Sequence, residues 1–200
     1  GLLGILAALI GCLFIWVFDK VRYYFEHLEI PGIYKPAIGG FLVGAIGIGL
    51  PQIMGVGYGP INGIMESSLP LTLMLLILPG KLLATSLTLG SGGSGGIFAP
   101  SLFIGAAMGG VFGVGLEELF PGHIGSIGSY ALVAMGAVVA ATTRAPISAI
   151  LIIFEMTNNY TIILPLMIAC ILATLVAGLI IKPSIYHTKL LRRGIDLEHR

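Results

Sequence analysis

From Leu82 to Leu116 the chain contains no Lys, Arg, Asp or Glu, and a second charge-free run extends from Met156 to Ile181. A bilayer-spanning helix needs about 20 mostly apolar residues, so each run is long enough to cross a membrane. The remainder cannot supply a water-facing shell. Only 10% of the 200 residues are charged, whereas a soluble domain carries about a quarter. Neither run shows the period-two alternation of a lipid-facing barrel strand. The fold class expected is therefore all-α, a polytopic helical membrane protein. A net charge of +1 leaves no basic footprint for a nucleic-acid partner. Cys12 and Cys170 both lie in apolar runs, where a thiol behaves as a small hydrophobe. No disulfide, metal or cofactor is expected of them, and the four histidines are scattered.

The chain opens "GLLGILAALIG", already inside an apolar helix and without the basic segment that precedes a signal peptide. It reads as a piece of a longer protein. Gly1 to Phe18 forms a first helix, continued by the amphipathic "DKVRYYFEHLE" and closed by the loop "IPGIYKP". Pro36 to Leu50 is a second apolar segment, and Pro51 to Gly63 breaks it, with a short helix starting near Pro60. Leu71 to Leu89 and Ile97 to Leu116 are membrane-length helices. Arg144-Ala145-Pro146 separates Ile127–Thr143 from Pro146–Met156, because proline is favoured in a first turn and excluded from an interior. The second of these pieces is too short to cross a bilayer. In "TNNYT" an asparagine ends one helix and Thr161 caps the next, which runs to Ile181. A last helix begins at Pro183. Lys20, Arg22 and Lys35 in the Asp19–Lys35 connection, and Lys182, Lys189, Arg192, Arg193 and Arg200 in the tail, place both on the cytoplasmic side by the positive-inside rule.

The feature that needs explaining is "GSGGSGGIFAP", Gly90 to Pro100, in the middle of the first charge-free run. Unpaired backbone in hydrocarbon survives only where it is buried in protein or lines a water-filled cavity. The helix opening at Ile97 has first-turn amides with no intrahelical acceptor. Together with the positive end of the helix dipole they suit an anion, and glycines let a small ion approach the backbone. Partial charges hold the ion less tightly than a Lys or Arg in low dielectric, and conduction requires release. A second interruption, Gly55–Pro60, repeats the theme, and such breaks mark transporter binding sites near the bilayer midplane.

Other readings of the same residues compete. "GSGGSG" satisfies the dinucleotide fingerprint in letters, but that motif must follow a strand in a soluble βαβ unit. "GGSG" (Gly92 to Gly95) matches the serine motif of rhomboid-type intramembrane hydrolases, with Ser94 as nucleophile. That chemistry needs a histidine base at the same depth, and His123 lies in a loop while His187 lies near the tail. A flexible kink that only packs helices is the plainest alternative.

"GSGGSGGIFAPSLFIGAAMGG" resembles the G-x-F-x-P signature region of the CLC chloride channels and chloride/proton antiporters, and "MGAVVAATTRAPISAILIIFEMTNNYTIILPLM" resembles the helix pair that comes after it there. Gly55–Ile61 resembles the same family's upstream glycine-rich break. The resemblance implies the second half of an inverted-repeat membrane domain, residues 1–193, roughly the helices lettered J to R, with 194–200 starting a cytoplasmic tail. It implies a transporter of chloride or similar small anions, not an enzyme, in an inner or plasma membrane, with the N-terminal half of the domain and a second copy as partners. Ile97 and Phe98 match positions whose amides bind the central chloride, Gly96, Ala99 and Pro100 complete the signature, and Tyr186 matches the tyrosine that donates to the same ion. The family's G-S-G-x-P and G-x-E-x-P motifs and its internal proton-transferring glutamate are absent from this chain.

Lys81 is the lone cation of its helix and is read either as a vestibule cation or as an ordinary snorkelling lysine. Arg144 is expected to satisfy carbonyls ending the helix before it, and Glu155 to cap or hydrogen-bond locally. Gly105, Gly109 and Gly113 recur every fourth residue, a face for close helix contact. The segments from Pro146 and Thr161 resemble the family's homodimer helices.

Overall fold

The computed structural model describes residues 1–122, 125–181 and 185. They fold into α1 (Leu2–His27), α2 (Lys35–Gly49), α3 (Tyr58–Met65), α4 (Leu71–Gly90), α5 (Phe98–Leu119), α6 (Ile127–Thr143), α7 (Pro146–Thr157) and α8 (Ile163–Ile180), with 3₁₀ turns at Pro51–Ile53 and Tyr160–Ile162. Among the described residues there is no strand, as the all-α reading requires. Among the described residues four stretches are long and apolar enough to span a bilayer: α1, α4, α5 and Tyr160–Ile180.

α6 is the central helix. Thirteen of its 17 residues are buried, as expected of a helix that is apolar all round. α5 packs antiparallel against it through the glycine face. A Cβ at Gly105 would lie 2.6 Å from the Met135 Cα, one at Gly109 2.5 Å from the Tyr130 carbonyl oxygen, and one at Gly113 3.2 Å from the Ile127 Cα. The four-residue glycine spacing therefore serves a contact inside the chain. α8 runs parallel to α6, with the Thr174 hydroxyl 3.4 Å from the Ala140 carbonyl oxygen. It also runs parallel to α1, where Gly4 meets Ala169 and the Cys12 thiol faces the Ala177 carbonyl at 3.8 Å. α4 ends beside the polar half of α1. Helices α1, α4, α6 and α8 thus finish toward one side of the molecule, and α5 starts there.

Several local expectations shift. The Asp19–Lys35 connection is helical as far as His27. α3 begins at Tyr58, before Pro60, because Gly57 turns the chain with φ +91° and leaves Pro60 in the first turn. Asn158 ends α7 in the left-handed region, but Thr161 does not cap the next turn. Asn159 does: its Oδ1 accepts from the Thr161 amide at 3.0 Å and from the Thr161 hydroxyl at 2.6 Å. The expected final helix from Pro183 and the 194–200 tail lie outside the described residues.

α7 and α8 turn an apolar stripe outward, with Ile147, Leu151, Leu164 and Leu175 exposed. Such a surface belongs against lipid or another protein face.

Gly109→Ala is expected to overpack the α5–α6 contact and destabilise the protein by about 1–3 kcal/mol. A Cβ at Gly115 meets nothing within 4 Å, so Gly115→Ala is expected to be neutral or stabilising through helix propensity. Thermal unfolding of the two purified variants in detergent checks the contrast.

Candidate functional site

The loop between α4 and α5 divides into two parts with different hydrogen bonding. Its first part closes α4: the amides of Ser91, Gly92 and Gly93 donate to the carbonyls of Leu87, Leu89 and Thr88 at 3.1, 3.2 and 2.9 Å. Gly92 makes this path possible with φ +92°. Gly90 lets α4 approach α1 so closely that a Cβ there would lie 3.1 Å from the Arg22 backbone nitrogen.

After Gly93 the pairing stops. Among the described residues, the amides of Ser94 through Ala99 meet no backbone acceptor, Pro100 has none to offer, and the next donor is Ser101, to the Ile97 carbonyl at 3.0 Å. Gly96, Ile97, Phe98, Ala99 and Pro100 therefore come together as the open N-terminal turn of α5, a helix of 22 residues. Its macrodipole adds positive potential to the unpaired donors. Ile97 stands at the N-cap with φ −95° and ψ −27°, and the Ser101 hydroxyl fixes it by donating to its carbonyl at 2.9 Å.

The depth of this turn can be read along α1. The glycine loop is level with Val21 and Arg22, beyond the apolar length of α1. The Ser101 hydroxyl stands 3.4 Å from that of Thr142, and the neighbouring Ala141 packs on Gly11, where a Cβ would lie 2.8 Å away. The first turn of α5 thus lies between the levels of Gly11 and Phe18, inside the apolar length. A cavity of about 940 Å³ connects the two levels, lined by Ser91–Ala99, Phe18, Arg22, Phe25, Glu26, Lys35 and Ile185.

Arg144 is reassigned. Its side chain does not satisfy α6, which its backbone amide closes instead by donating to Ala140 at 3.0 Å. Arg144 holds a left-handed conformation, φ +61°, and aims its guanidinium at the end of α8, donating to Thr174 at 2.9 Å, to Ala177 at 2.6 Å and to Ile181. The parallel course of α6 and α8 brings their C-termini together, which explains the reach. Lys81 neither snorkels nor lines the cavity. It is 4% exposed, donates to the carbonyls of Ile53 at 2.8 Å and Gly55 at 2.6 Å, and lies 5.0 Å from the Phe103 ring centroid. It fastens the upstream glycine break to α4 and α5. Glu155 is exposed on α7 and its side chain makes no hydrogen bond among the described residues, so its expected local bonding is not seen.

Tyr186 and both histidines of the hydrolase reading, His123 and His187, lie outside the described residues. Ile185, next to Tyr186 in sequence, is 1% exposed and forms part of the cavity wall. Sequence reasoning counted Arg22 and Lys35 only toward orientation and passed over Glu26. The Arg22/Glu26 spacing of four was the available signal.

Comparison with known proteins gives the family and the fold. The family described as voltage gated chloride channel matches residues 1–178. A putative chloride channel protein, ClcB-like, of Ralstonia nicotianae is 41% identical over 194 residues, covering 97% of this chain and 45% of that protein. The H(+)/Cl(-) exchange transporter ClcA of Vibrio campbellii is 37% identical over 177 residues, 88% of this chain and 36% of that one. The crystal structure of a slow cyanobacterial Cl-/H+ antiporter superposes with a TM-score of 0.81 at 35% identity, covering 100% of this chain and 47% of that chain. The chain thus spans less than half the length of these relatives. The hydrolase reading of Ser94 falls with these matches; Ser94 is an exposed loop residue of the cavity wall.

Arg144→Ala is expected to remove the side-chain donor shared by the carbonyls of Thr174, Ala177 and Ile181; since Ala177 keeps the Ile181 amide at 3.0 Å, the cost is about 1–3 kcal/mol in all. Arg144→Lys is expected to recover only part, since one ammonium lacks the guanidinium fork. Thermal melts of the two variants check the order.

Proposed function

This chain belongs to the voltage gated chloride channel (CLC) family, and on that premise we propose that it is the C-terminal half of a membrane domain that moves chloride. The observation that carries the reading is the run of donors from Ser94 to Ala99 that, among the described residues, meet no backbone acceptor; it passes from the loop at the polar end of α1 to the first turn of α5 within the apolar length of α1, and it faces a cavity. A chloride ion that gives up water there gains the amides of Ile97 and Phe98 and the dipole of α5. Gly96 leaves the approach open, because a Cβ there would meet nothing within 4 Å, while Ala99 and Pro100 shape the turn. Tyr186 supplies a hydroxyl to the same ion. The cations nearest the site in sequence stand back from it: Lys81 is committed to carbonyls and Arg144 to α8. Partial charges therefore do the binding, strong enough to replace water and weak enough to release.

The N-terminal half of the domain supplies the other side of the pathway, and the outward stripes of α7 and α8 support a homodimer. The parallel course of α1 and α8 supports a common side for the polar end of α1 and the C-terminal tail, the cytoplasmic side of an inner membrane by the distribution of basic residues.

The whole protein reconstituted in liposomes is expected to release chloride. Proton movement coupled to that release identifies an exchanger, and release without it a channel. No chloride flux overturns the reading. Tyr186→Phe is expected to weaken chloride binding about tenfold, the loss of one hydrogen bond to an ion. Unchanged affinity by calorimetry removes Tyr186 from the site.

A further inference from the structure

We infer that Ser101 is a positioning residue that sets the donor strength of the Phe98 amide, an inference that rests on the chloride reading above. The carbonyl of Ile97 and the N–H of Phe98 belong to one peptide group. That carbonyl accepts twice, from the Ser101 amide at 3.0 Å and from the Ser101 hydroxyl at 2.9 Å. Each bond draws electron density toward the carbonyl oxygen and leaves the N–H at the other end of the peptide more positive. Such cooperative strengthening is worth about 10–30% of a hydrogen bond.

A hydroxyl donating to the carbonyl four residues back is common in helices, and this chain does it elsewhere with threonine. Thr88 donates to Ala84, Thr157 to Ile153 and Thr174 to Cys170, each at 2.8 Å. In those three the amide of the same peptide lies inside a helix, where the carbonyl four residues back accepts it. At Ile97 the same bond acts on an amide that, among the described residues, meets no backbone acceptor. The polarisation therefore reaches the cavity, whose wall includes Ile97 and Phe98, and is not spent on a helical bond. Ser101 is 0% exposed, so bulk water does not compete for its proton. The Thr142 hydroxyl, 3.4 Å away, carries a single hydrogen and has a nearer acceptor in the Val138 carbonyl at 2.9 Å. The shorter contact keeps the Ser101 proton on Ile97.

The test is chloride affinity, by calorimetry on the whole protein carrying Ser101→Ala, Ser101→Cys or Ser101→Thr, with thermal melts of each in the absence of chloride. Alanine removes the donor, cysteine keeps the size with a much weaker donor, and threonine keeps the hydroxyl. Ser101→Ala is expected to weaken chloride binding about two- to threefold, the loss of about a fifth of one hydrogen bond to an ion. Ser101→Cys is expected to fall with it, and Ser101→Thr to stay near the unsubstituted protein. A role in packing alone would instead leave cysteine like serine and make threonine, one methyl larger at a closed site, the weakest. The alanine and cysteine variants decide the matter even where the threonine variant does not fold. Cysteine matching serine, or affinity unchanged in Ser101→Ala, overturns the inference and leaves the chloride reading standing. Absence of chloride binding by the unsubstituted protein overturns both.

Discussion

Backbone amides cannot remain unpaired in hydrocarbon, and the start of α5 presents at membrane depth a row of amides that, among the described residues, meet no backbone acceptor. Each unmatched donor carries a free-energy penalty that only protein, water or an ion can remove. The surrounding elements keep that row open where an ordinary helix cap would close it. Ser91 and Gly93 finish α4 with their own bonds, so the loop's later amides are not drawn into it. Pro100 withdraws one donor, and Ser101 turns the chain back on Ile97. The donors left over face a cavity that reaches the polar end of α1.

The remaining architecture supports that end of the molecule. Four helices finish around the point where α5 begins, and three of those finishes are handled separately. Arg144 spans the last carbonyls of α8, its own amide closes α6, and the loop turn closes α4. The glycines of α5 bring it against the α6 backbone, so its open first turn sits beside the most buried of the described helices. On its other flank Lys81 secures the Ile53–Gly57 break, and Phe103 of α5 lies beneath the ammonium. A buried lysine used this way joins an irregular segment to two helices without bringing its charge to the cavity.

Much of this was legible in the residues. Pro146 and Arg144 marked the end of α6 because a proline cannot continue a helix, and the four-residue glycine spacing announced a close contact. The glycine loop and the opening of α5 came from the same reasoning, together with the rule that irregular backbone in a membrane must face something polar. The targets of the long side chains were not legible. Lys81 and Arg144 reach carbonyls far away in sequence, and their partners depend on which helices run parallel. Asn159 displaced Thr161 as the cap because either side chain satisfies the pattern and only the turn geometry selects. Arg22, Glu26 and Lys35 read as an ordinary charged helix end until the approach of Gly90 to α1 set them beside the loop.

The amide row at Ile97 and Phe98 as a halide cradle is tested most directly by anomalous diffraction from crystals of the whole protein soaked in bromide. A bromide peak within hydrogen-bonding reach of both backbone nitrogens is expected. Ordered bromide elsewhere in the membrane domain, with none beside those two nitrogens, would contradict it.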